Sequence, residues 1–301
     1  MTHMKRHLVT AIAASAAILA TATADTRETA RKLSASHGES IVWLTVLAKT
    51  SMSAEGDVPA QIKSALAAQE KEERSEITAT VIDASGMLVT ALGGLDKSSM
   101  VDGQSIRTPM GDIKVIAKAE IKEIKVIMAD GTEIPADLVL KDEDLGLAFV
   151  KVRADSEEAK GVTFSPVNLA DSAPAKLLDP CIMLSRMDEG FNREPSAMTG
   201  EVTGVTTRPR VFYRASGDAI GCPVFLEDGK MLGISVLRNL KGAAAASGRI
   251  QVSPVVLPAA DIAKIAEQAK DAEPIPTESA DDESDADEDA DSDADAPSDG
   301  E

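Results

Sequence analysis

From Ile41 onward the chain is punctuated. Short apolar, β-branched runs alternate with turn-forming residues at a spacing of about 8–15 residues. Runs this short cannot carry the buried stripe of a helix, so the body must be built from strands. The first is Ile41–Ala48. Thr78–Asp83, Met87–Thr90, Lys114–Ile116, Glu123–Met128, Leu138–Leu140 and Leu147–Val152 follow it, with Ser85-Gly86 and Ala129-Asp130-Gly131 as turns. A second set begins after Pro166: Cys181–Ser185, Met198–Val205, Val211–Arg214, Val224–Leu226, Met231–Leu237 and Ile250–Val252. Two segments break the pattern. Within 57–75, Val58, Ile62, Ala65 and Leu66 fall at helical spacing among charged residues, which predicts an inserted surface helix. Residues 258–269 have Pro near their start and an Ile262/Ile265 stripe, which predicts a C-terminal helix. Aromatic residues make up only 2% of a chain that is 44% hydrophobic, so Val, Ile, Leu and Ala must fill the core. The fold class is all-β, a double antiparallel β-barrel. Barrel one spans about 38–155, and barrel two with its helix about 165–270.

The ends are different in kind. Lys5, Arg6 and His7 precede the apolar run Val9–Ala20, and Ala22-Thr23-Ala24 is a small-x-small cleavage site, so residues 1–24 read as a signal peptide. The apolar run is about twelve residues, short of the ~20 a bilayer requires, so no membrane span is expected after cleavage and export to the periplasm or outside is. Residues 25–37 are polar and read as a loose leader, with His37 exposed in it. Residues 271–301 hold fifteen Asp or Glu and no Lys or Arg, so most of the formal net charge of −19 lies there and the body is close to balanced. A balanced body excludes the basic footprint of a nucleic-acid binder. The tail is expected to be a disordered, solvated polyanion that makes no contact with the barrels. Its run of alternating aspartates, Asp285 to Asp295, lacks the glycine of a calcium loop, which leaves loose cation binding as its expected chemistry. No cofactor and no metal site are expected. Cys181 and Cys222 are the two cysteines. In an oxidising compartment they are either a disulfide pair or two buried thiols.

Three blocks in order, Val81–Thr90, Asp130–Ala136 with Asp142–Val152, and Ser216–Val224 with Asp228–Ile234, resemble the trypsin-like serine proteases. The HtrA/DegP-type bacterial branch is the nearest pattern, and the similarity spans about 38–270. The resemblance implies a histidine, an aspartate and a serine that together generate a nucleophile. It places them at Gly93, Gly146 and Ile220, none of which carries the chemistry. The oxyanion-hole glycine falls at Asp218, whose carboxylate would repel a developing oxyanion. Asp144 is the nearest substitute acid, and after signal removal His37 is the only histidine left. Proximity of the matching segments in the family makes a Cys181–Cys222 bridge possible. The resemblance therefore implies an exported, proteolytically inactive homologue that binds a peptide or protein segment by strand addition. The alternative is an active serine endopeptidase with an unrecognised or partner-completed site.

Overall fold

The computed structural model describes residues 26–56, 58–108, 111–217, 219–239 and 252–276. Residues 1–24, expected to be a signal peptide, Asp218, the strand start at 250–251 and the acidic run from 277 lie outside the described residues. Residues 26–37 form helix α1. The strands of the first barrel are β1 (Ile41–Ala54), β2 (Lys71–Asp83), β3 (Met87–Ala91), β5 (Gly111–Ile127), β6 (Glu133–Asp142) and β7 (Leu147–Val152). They run β1-β2-β3-β7-β6-β5 and close through β1–β5, while β4 (Ser105–Thr108) extends β5 as a hairpin. The second barrel, β8 (Pro180–Arg186), β9 (Pro195–Thr206), β10 (Phe212–Ala215), β11 (Pro223–Leu226), β12 (Met231–Asn239) and β13 (Val252–Pro258), closes in the order β10-β13-β12-β11-β8-β9. Helix α4 (Ala259–Lys270) follows directly. Two antiparallel barrels and a terminal helix are the architecture the strand pattern predicts.

The alternation of side chains along a strand explains how the barrels join. On β3, Leu88 points into barrel one, while Met87, Val89 and Ala91 point out into a third core. On β7, Ala148 and Val150 point in, and Leu147 and Phe149 point out. On β8, Cys181 and Met183 fill barrel two, while Ile182 and Leu184 join the same third core. That shared core lies between the barrels and also takes Ile262, Ala266 and Ala269 of α4. Strands buried on both faces read as unbroken apolar runs, which is the sequence character of β3 and β7.

Four local readings change. The inserted helix is only α2 (Ala60–Ala67), because Lys71–Arg74 are strand residues paired with Thr50–Leu47. A charged segment joins a sheet here because β1 runs far enough to template it. The two short strands expected near 114 and 123 are the single strand β5, held continuous by its pairing with β1. The leader is not loose: Ala30, Leu33 and His37 lie on one face of α1, Ala30 and Leu33 are buried in the inter-barrel core, and Thr26 donates through Oγ1 to Glu227. Residues 271–276 do touch the barrels. Ala272 packs on the shared core, and the Ile275 N–H donates to Leu138 O at 2.7 Å, since Ala272 and Pro274-Ile275-Pro276 interrupt the acidic residues here.

One buried cation ties the start of barrel one to barrel two. Arg186, 6% exposed on β8, donates through Nε to Ile41 O (2.8 Å), Nη2 to Gly38 O (2.8 Å) and Nη1 to Arg193 O (2.9 Å). Glu39 lies 3.2 Å from Nη2 and supplies its counter-charge. An Arg186→Leu variant leaves three carbonyls without their donor. Urea unfolding is expected to show a loss of about 3 kcal/mol, because unpaired buried acceptors cost more than their bonds return.

Candidate functional site

The first barrel meets the second along a seam, and a cleft of about 560 Å³ opens beside it. Its walls are the β3–α3 turn, the segment Asp96–Asp102, the β6–β7 turn Glu143–Gly146, and Leu237 and Arg238 of β12. Two of the three sequence-assigned positions meet here. Gly93 lies in the short turn α3 (Leu92–Leu95), and the Leu92 N–H donates to Gly146 O at 2.8 Å. A Cβ on Gly93 would stand 3.0 Å from both Cγ and Sδ of Met100 and 3.8 Å from Leu237 Cδ1. Gly146 has φ +69°, and a Cβ there would stand 2.8 Å from Leu237 O. A side chain at Gly93 would therefore press on Met100, and one at Gly146 would meet the backbone of β12.

Ile220, the third position, does not line the cleft. It packs against the inter-barrel core, and its carbonyl accepts from Thr78 Oγ1. The next residue is pinned as well: Gly221 O accepts from Thr80 Oγ1 at 2.7 Å, and Gly221 N–H donates to Ser235 O at 2.7 Å. Thr90 Oγ1 closes the set on Thr78 O at 2.7 Å. Thr90 closes the Val81–Thr90 block, but Thr78 and Thr80 carry no family motif, and sequence reasoning missed them. The available signal was the Thr78-Ala79-Thr80 alternation, which puts two hydroxyls on the outer face of β2.

The remaining polar groups of the cleft are structural. Asp96 accepts from Ser98 N–H (3.1 Å), Ser98 Oγ (2.5 Å), Ser99 N–H (3.3 Å) and Lys141 Nζ (2.8 Å). Oδ1 takes three of these bonds and Oδ2 the one from Lys141, so the carboxylate caps its own turn and pairs with Lys141. Asp144 is exposed at the rim. His37, the only histidine among the described residues, is half-buried rather than exposed, and does not line the cleft. Its ring stacks on Phe225 with centroids 5.3 Å apart, and burial lowers its pKa.

The disulfide alternative fails on register. Cys181 pairs with Leu226 and Met183 with Val224, so Cys222 lies opposite Ser185, four residues from Cys181. Four residues of strand span about 13 Å, well beyond the ~7 Å that a disulfide tolerates between Cα atoms. Both thiols are free and buried. Cys222 Sγ donates to Thr78 Oγ1 at 3.5 Å and lies 3.6 Å from Ser185 Oγ, and burial raises its pKa. Burial, with Glu201 nearby, pushes the Cys181 thiol up to about 11. Neither is an activated thiolate. Among the described residues no group of histidine, cysteine and acidic side chains could hold a metal ion.

The profile of the trypsin-like peptidase domain matches residues 77–234. No curated protein sequence is matched. Among solved structures, the chain is similar to the apo MamO protease domain from Magnetospirillum magneticum, with 14% identity and a TM-score of 0.44 over 76% of this chain and 97% of that one. It is also similar to Deg5, with 15% identity and a TM-score of 0.48 over 79% of this chain and 92% of that one.

Two outcomes follow from the seam. Gly146→Ala is expected to lower stability by about 2–3 kcal/mol, from left-handed strain plus collision with Leu237 O. Gly103→Ala, at φ +71° with open space around it, isolates the strain alone and is expected to cost about 1 kcal/mol. Denaturant melts of the pair separate the two causes. For Cys181, the folded thiol titrates higher than the unfolded one, so its contribution to stability is full below about 9 and is lost as pH rises through about 11. Melts across that range, compared with Cys181→Ala, check the sign.

Proposed function

The chain belongs to the family of trypsin-like peptidase domains, and from that premise we propose that it is an exported, non-proteolytic member that uses its cleft to hold an extended peptide segment. The observation that carries the reading is the state of the seam. Glycines stand at the histidine and aspartate positions, Met100 and Leu237 fill the space, and the one described histidine is stacked on Phe225. Without an imidazole a serine hydroxyl is a poor nucleophile, and loss of triad members removes about 10⁴–10⁶ of the rate.

The backbone of β12 supports the binding half of the reading. Pro254 has no N–H, so the Leu237–Pro254 pair is a non-hydrogen-bonded pair of the β12–β13 ladder. The N–H and C=O of Leu237 therefore turn away from β13, as those of Ser235 do. Ser235 uses them on Cys222 O (3.0 Å) and the Gly221 N–H (2.7 Å). Pairing with β11 stops at Ile234, so beyond it β12 has no strand partner on that side; the Leu237 carbonyl packs against Gly146, which leaves the backbone at Asn239 as the open position. A short unpaired edge beside a cleft is the geometry that accepts an added strand.

A fluorophosphonate probe is expected to leave the mature protein unlabelled under conditions that label an active serine protease. The triple variant Gly93→His, Gly146→Asp, Ile220→Ser is expected to remain unlabelled and to melt below the parent protein, because two of the three side chains enter occupied space. Labelling of the parent protein at any serine would establish the endopeptidase alternative. For binding, Asn239→Pro on the edge is expected to abolish capture of extended peptides from a library while leaving the melt unchanged. Peptide capture that survives this substitution would place binding elsewhere.

A further inference from the structure

A second concavity, of about 570 Å³, is lined by residues of β1, β5 and β6 of barrel one. In the β1–β5 ladder, Lys49 stands opposite Glu120 and Ser51 opposite Lys118. Cross-strand partners share a face, so these four side chains form its floor. Lys141 of β6 and Glu70 complete the polar rim. Lys49 is held by Glu70 at 2.6 Å, Lys141 by Asp96 at 2.8 Å, and Glu120 by Lys122 at 2.6 Å. Lys118 is exposed and has no ion-pair partner among the described residues. The groove therefore has one uncompensated cation, flanked by a Lys49–Glu70 pair that is itself half exposed.

The chain delivers an anion to this place. After α4 the backbone returns to barrel one, the Ile275 N–H bonds Leu138 O, and Ile275 and Pro276 form part of the groove wall. The next seven residues, Thr277 to Glu283, contain Glu278, Asp281, Asp282 and Glu283 and no Lys or Arg. At ~3.3 Å per residue, Glu278 stands within about 7 Å of Pro276 and Glu283 within about 23 Å, so all four carboxylates can reach the groove. A tether of a few residues also gives an effective concentration in the millimolar range.

We propose that the start of this chain's own acidic tail, residues 278–283, docks in the Lys49/Lys118/Lys141 groove as a salt-sensitive clasp. It stands independently of whether the seam cleft binds peptide. Screening contracts from ~10 Å at 0.1 M salt to ~3 Å at 1 M, so the clasp closes at low ionic strength and opens at high.

Zero-length carbodiimide cross-linking of the full mature chain, followed by peptide mapping, tests it. The expected result is an intramolecular link from Lys118 to Glu278, Asp281, Asp282 or Glu283, falling several-fold between 0.02 M and 1 M salt. Lys118→Glu, an exposed substitution, is expected to abolish the link and to make the tail more rapidly cleaved by an acid-specific protease at low salt. Replacing the four acids by their amides, which leaves the barrels untouched, is expected to speed cleavage at the acids that remain, from Asp285 onward, at low salt. Tail links spread evenly over surface lysines, links only between two chains, or a cleavage rate insensitive to both variants would each overturn the proposal.

Discussion

Where residues 220–222 cross β2, two backbones come too close for any side chain to stand between them. A Cβ on Gly221 would lie 2.2 Å from Thr78 O, and the residue takes φ +79° to make the crossing. Only glycine tolerates both demands. The contact is fixed on one side by Thr78 and Thr80 and on the other by Ser235, so barrel one, the 220–222 loop and β12 form one hydrogen-bonded stack. The shared apolar core, the approach of β12 to Gly146 and the position of the cleft all depend on that crossing.

The same crossing bears on what the seam has room for. A catalytic seam must keep polar, partly solvated space for an imidazole and leave backbone donors free to meet an oxyanion. Here the side chain of Leu237 reaches toward Gly93 and its carbonyl toward Gly146. The loop carbonyls at 220 and 221 are committed to threonine hydroxyls. The glycines at 93 and 146 are what let β12 and Met100 approach the first barrel this closely.

Much of the fold was legible because it rests on period-two patterning and turn residues. The hairpin at Asp130-Gly131, the doubly buried β3 and β7, and α4 after Pro258 are all local signals. The scarcity of histidine was legible too, since His37 is the one histidine beyond the first seven residues. What escaped was set by partners distant in sequence. Lys71–Arg74 look helical by composition and become a strand only because β1 pairs with them. Cys181 and Cys222 look like a pair until the β8–β11 register sets them four residues apart. Ala30, Leu33 and His37 make a weak stripe whose meaning depends on a surface, Phe225 among it, that lies nearly two hundred residues away.

The guanidinium of Arg186 bears on the order of folding. It grips the carbonyls of Gly38 and Ile41 from a strand about 145 residues later. β1 is also the strand that closes barrel one, through its long ladder with β5. The first strand made therefore cannot settle its entry until the second barrel has begun to form. Contacts of such separation delay the reward for closing the chain. They also bind the two barrels into one cooperative unit, so that a chain ending after β7 would have its strands but not the grip that fixes where they start.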